Sequence, residues 1–114
     1  MHERYQPPEY EAVCHILAAP PLAPRTAPYV HPDDFDWEGL YEEAATMSGG
    51  ERLLIDLAAE LWSAEKRTGL WEVPRRLDGE NFRRVIEALY LCRGLGVAAP
   101  AGVSSADRLE DLAA

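Results

Sequence analysis

The sequence predicts an all-α fold: a small helical domain of three principal helices plus short N- and C-terminal helices. Three observations lead there. Apolar residues recur at i, i+3, i+4 and i+7 in several separate segments. No stretch alternates apolar and polar residues over a useful strand length, and no internal repeat occurs. The prolines fall between the periodic segments, where they interrupt helices rather than bend them. A chain of 114 residues, 47% hydrophobic and with three tryptophans, is long enough for one domain with a real core.

Residues 9–18, "EYEAVCHILA", place Tyr10, Val13, Cys14 and Leu17 at helical spacing and predict a short first helix. The stretch "PPLAPRTAPYVHP", 20–32, carries Pro20, Pro21, Pro24, Pro28 and Pro32. It reads as an extended, polyproline-like arm that Tyr29 and Val30 pin to the surface. A helix then opens near Asp34 or Asp36, with Trp37, Leu40, Tyr41, Ala44 and Ala45 on one stripe and Glu38, Glu42 and Glu43 off it.

The following helix is predicted from about Gly49 to Arg67, ended by Gly69. Its polar residues Arg52, Asp56, Glu60, Ser63 and Arg67 form one narrow stripe, so it is assigned the centre of the core. Pro74 separates it from a helix capped by Asp78, striped by Phe82, Val85, Ile86, Leu89 and Cys92 or Arg93, and closed by Gly94. In the tail, Ser104 or Ser105 caps a last short helix carrying Leu109 and Leu112. The expected organisation is an N-terminal helix and Pro-rich arm over 1–33, a helical core over 34–94 and a tail over 95–114.

Charge narrows the partners. The net charge is −9: residues 1–45 carry −7, residues 46–93 balance, and the tail carries −2. Such a chain is repelled by nucleic-acid backbones and anionic lipid, so a nucleic-acid partner is disfavoured and a basic protein surface favoured. No apolar run approaches the roughly 20 residues of a membrane span. Residues 1–20 carry Glu3, Glu9 and Glu11 and no apolar signal region, which predicts a cytoplasmic protein. There Cys14 and Cys92 are expected as free thiols.

Two short motifs suggest chemistry and are better explained locally. "SGGE", Ser48 to Glu51, looks like the signature loop of ABC-type ATPases, which presents hydroxyl and N–H groups to a phosphate. The partner P-loop lysine is missing, since Lys66 is the only lysine. Ser48 with Glu51 is instead a capping box, each side chain serving the other's backbone N–H. "DFDWEG", from Asp34, mimics the start of an EF-hand loop, but Ala45 stands where its bidentate glutamate belongs. His2, His15 and His31 lack metal-ligand spacing, and no nucleophile elbow or dinucleotide fingerprint occurs. No cofactor, metal or catalytic residue is assigned.

The remaining candidate is an arginine cluster, Arg75, Arg76, Arg83 and Arg84, around the Pro74 connector. Trp71 and Tyr90 stand outside the helical stripes, and aromatics with arginine are the usual interface anchors. The leading expectation is a non-enzymatic protein-interaction or regulatory module that forms a homodimer, the acidic N-terminal arm or helix of one chain meeting the arginine face of the other. The alternative is a helix-turn-helix-like regulator that sets the same four arginines against nucleic acid, although Asp78, Glu80 and Glu87 are interleaved with them. The segments "DFDWEGL", "SGGERLL" and "LDGENF" together resemble a pattern in small uncharacterised proteins of high-GC bacteria. The resemblance implies that 34–94 belong to one domain and carries no established activity.

Overall fold

The computed structural model describes residues 7–95 and 105–113. The fold is mostly helical, and a hairpin of two short strands is the only sheet among the described residues. The elements are α1 (Pro8–Leu17), α2 (Ala23–Thr26), a 3₁₀ turn (Ala27–Tyr29), β1 (Val30–His31), β2 (Asp34–Phe35), α3 (Trp37–Ala44), α4 (Gly49–Ser63), α5 (Glu72–Arg76), α6 (Gly79–Cys92) and α7 (Ser105–Ala113).

The centre belongs to α1, not to α4. Tyr10, Ala12, Val13, Cys14, Ile16 and Leu17 are all fully buried, so α1 is enclosed on several sides. It packs most extensively on α6 and α4, and α7 covers it as well. Burying large apolar side chains such as Tyr10, Ile16 and Leu17 stabilises the fold by about 1.5–3 kcal/mol each. The narrow polar stripe of α4 does not make it the central helix, because Leu57, Leu61 and Trp62 are only half-buried at its flank. The core face of α4 is Leu53, Leu54, Ile55, Ala58 and Ala59.

The Pro-rich stretch is also not an extended arm. Pro24 and Pro28 occupy the first turns of α2 and the 3₁₀ turn, where a missing N–H leaves no hydrogen bond unmade. Leu22, Ala23, Thr26, Ala27 and Val30 are buried. The Thr26 hydroxyl donates to the Leu17 carbonyl at 2.8 Å, satisfying the end of α1. Val30 pairs with Phe35 and His31 with Asp34 in the hairpin, whose turn puts Asp33 at φ 62°. Arg25 pairs with Glu43 at 3.1 Å and so ties this segment to α3.

Local capping sets the helix starts. Asp36 accepts the Gly39 N–H at 3.0 Å and opens α3. A side chain at Gly39 would collide with the Tyr29 ring and the Asp36 carboxylate, so glycine is required there. Ser48 opens α4 with both halves of the capping box formed, at 3.3 Å and 3.1 Å. Asp78 accepts the Asn81 N–H at 2.8 Å and opens α6. The end of α4 comes four residues before the expected Arg67. Ala64 turns left-handed at φ 62°, and Glu60 accepts from the Thr68 N–H at 2.8 Å, drawing the chain across the helix end.

In the tail, α7 docks by fully buried Ala106 and Leu109, while Leu112 stays exposed. The cap expected at Ser104 or Ser105 and the side chain of His2 lie outside the described residues.

Replacing Ser48 with alanine removes one accepted N–H bond and leaves Gly49 and Gly50 in the first turn. Ser48→Ala is expected to lower stability by about 1 kcal/mol in urea unfolding. ATP is expected to leave the melting temperature of both proteins unchanged. A saturable ATP shift lost in Ser48→Ala would contradict a purely structural role.

Candidate functional site

The four arginines of the connector do not form one face. Arg76, on α5, donates to Glu72 at 2.6 Å and to the Gly49 carbonyl at 3.3 Å, locking α5 against the start of α4. Arg84, on α6, is half-buried and donates to the His15 carbonyl at 2.8 Å. Arg75 and Arg83 are exposed, with no ion pair among the described residues. Two of the cluster therefore hold helices together, and two face solvent.

Arg84 belongs to a link between α1 and α6. His15 Nε2 lies 2.8 Å from Glu87 Oε1, on the same turn of α6 that carries Arg84. Burial holds the imidazole below its ordinary pKa, and the Glu87 carboxylate works in the opposite direction. These polar groups sit on the face of α6 that meets α1, together with buried Val85 and Ala88.

That orientation turns part of the predicted stripe of α6 outward, while Val85 of the same stripe is buried. Phe82 is 37%, Leu89 44% and Tyr90 53% exposed, and Ile86 is half-buried. The sequence reading placed Phe82 and Leu89 toward the core. The signal for the other phase was Ala88, whose small side chain permits close approach of α1, and the facing pair Arg84 and Glu87.

A second apolar feature lies after α4. Leu70 is 85% and Trp71 60% exposed. They border an open cleft of about 570 Å³ together with Leu57, Val73, Glu60 and Lys66. The Trp71 indole folds over Gly69, where a side chain would meet its Nε1 at 2.5 Å.

A smaller cleft of about 230 Å³ lies between α4 and α5. Arg52, Asp56, Arg67, Glu72 and Arg76 dominate its wall. Burial raises the Asp56 carboxyl, and nearby Arg67 opposes the rise. Glu72 is held low, first by the Gly69 N–H and then by Arg76. Arg67 also stacks over the Tyr41 ring, 4.6 Å from its centroid. These are mutually compensating charges, and the Thr68 hydroxyl is committed to Glu60 at 2.5 Å.

The motif residues have structural positions. Asp34 lies in β2 and Asp36 caps α3, so the EF-hand-like stretch is a strand followed by a helix start. No group of three or more His, Cys, Asp or Glu side chains among the described residues could hold a metal. Cys14 and Cys92 are free. Burial pushes the Cys14 thiol up to about 12, and burial also raises Cys92. Sequence reasoning missed the aromatic cluster around the hairpin: Phe35 stacks on Tyr10 at 5.1 Å and meets Trp62 at 5.0 Å and Trp37 at 5.3 Å. With Tyr41, 6.0 Å from Trp37, the five aromatics come from four segments, and Phe35 of the hairpin touches three of them.

No family model, curated protein or solved structure matches the chain. No helix among the described residues is long and apolar enough to cross a membrane.

Two measurements follow from the buried groups. A histidine whose pKa is lowered in the fold binds fewer protons folded than unfolded, so its contribution is complete above the unfolded value. It declines as pH falls through about 6.5 toward the lower folded value. Melting temperature is expected to fall on acidification from pH 7 to 5, and His15→Gln should flatten part of that fall. An unchanged slope would remove His15 as its source. For the thiols, alkylation without reductant should modify both cysteines after unfolding, with Cys92 reacting before buried Cys14 in the native protein. A Cys14–Cys92 disulfide peptide would contradict this.

Proposed function

We propose that the chain is a non-enzymatic protein-interaction or regulatory module, working in the cytoplasm and binding a protein partner, a second copy included. The observation that carries this reading is the outward face of α6. Phe82, Ile86, Leu89 and Tyr90 share it at helical spacing although the core has other residues of α6 to bury. Scattered exposed apolar residues are ordinary, whereas several on one continuous helix face favour contact with another protein. Leu70 and Trp71 add a second exposed apolar group.

The nucleic-acid alternative draws on Arg75, Arg76, Arg83 and Arg84. Arg76 and Arg84 are engaged within the fold, leaving Arg75 and Arg83 on a chain of net charge −9. Phosphate binding needs more positive charge than that, so the protein-partner reading is the better supported.

Affinity capture from the native cell tests it, with wild type compared against Leu89→Glu, a change at an exposed position. Specific protein capture, another copy of the chain included, is expected from wild type, insensitive to nuclease and lost in the variant. Recovery of nucleic acid that disappears with Arg75→Glu and Arg83→Glu would favour the alternative. Equal capture by both proteins would remove α6 as the binding face.

A further inference from the structure

Within the reading of α6 as a binding face, on which this inference rests, we propose that its occupant is a second copy: two α6 helices pair antiparallel about a two-fold axis beside Ile86. The argument is self-complementarity. Turned antiparallel about that point, Ile86 meets its own counterpart and Phe82 meets Tyr90 of the other copy. Both pairs are apolar, and exposed Leu89 falls opposite Arg83, along the alkyl stem of that arginine.

Charge matches in the same arrangement. Arg93, exposed at the end of α6, falls opposite Gly79 of the second copy, between Asp78 and Glu80. A side chain at Gly79 would touch nothing within the chain, so the space there is open to an incoming guanidinium. Arg83 comes beside Tyr90, within reach of a cation–π contact. The two-fold axis repeats each pair. A parallel pairing would instead set Arg93 against Arg93 and Glu80 against Glu80, so the charges select the antiparallel form. The same face meeting itself is the geometry of a closed two-fold dimer, the commonest oligomer.

Affinity is bounded by size. A helix of 14 residues is only about 21 Å long, and one such pair buries less than the roughly 1,200 Å² of a stable interface. Dimerisation is therefore expected at about 10–100 µM.

Sedimentation equilibrium up to about 500 µM covers that range. Leu89→Arg sets an arginine against Arg83 of the second copy on both sides of the axis and should abolish association, with the helical circular dichroism and melting curve retained because Leu89 is exposed. Arg93→Glu and Glu80→Lys should each weaken the dimer about tenfold, the axis counting each pair twice, and the double variant should regain association. Ile86→Cys should crosslink to its own counterpart on mild oxidation, where wild type does not. A wild type that stays monomeric, a dimer indifferent to Leu89→Arg, or a double variant without recovery overturns the proposal. A monomeric chain whose α6 still captures a foreign protein, lost with Leu89→Glu, overturns the second copy and leaves the interaction reading standing. Monomeric behaviour with no capture removes both.

Discussion

The enclosure of α1 is the constraint on which the rest depends. A helix covered on most of its sides must have its buried polar groups met by neighbours, because an unmet buried donor or acceptor costs about 1–3 kcal/mol. The neighbours comply. The Tyr10 hydroxyl donates to the His31 carbonyl at 2.8 Å, which fixes the hairpin. Thr26 closes the Leu17 carbonyl and fixes the turn after α1. Arg84 and Glu87 meet His15 and fix the rotation of α6. Each bond that satisfies α1 therefore also positions another element.

The helix starts were legible because capping is local. Asp36, Ser48 and Asp78 each act on an N–H three residues ahead, so a window of four residues contains the whole interaction. The helical class was legible for the same reason, from periodicity within single segments. The rank of the helices was not. Both α1 and α4 are rich in apolar residues, and which one is enclosed depends on contacts between residues tens of positions apart. The Pro-rich stretch shows the complementary failure: proline forbids a helix interior but suits a first turn, and only packing of Leu22 and Thr26 decides between them.

The candidate site was legible as a set of residues and not as a surface. Trp71 and Tyr90 are exposed, as are Arg75 and Arg83, while Arg76 and Arg84 serve contacts within the fold. Adjacent arginines on a helix point in different directions, so Arg83 and Arg84 divide between solvent and the α1 contact. Sequence proximity gave them one role, and helical geometry gives them two.

The outward stripe of α6 follows from the same division. Its apolar residues outnumber the positions α1 can cover, and α1 offers His15, a polar group that needs polar partners. Turning Arg84 and Glu87 toward His15 satisfies it, with Val85 and Ala88 completing the contact. The remaining apolar residues, Phe82, Leu89 and Tyr90, then have no place but the surface. Rotating α6 to bury them would break the His15–Glu87 and Arg84–His15 contacts, a larger loss than leaving part of three apolar side chains in water. The outward apolar stripe of α6 is thus a consequence of how the central helix is satisfied.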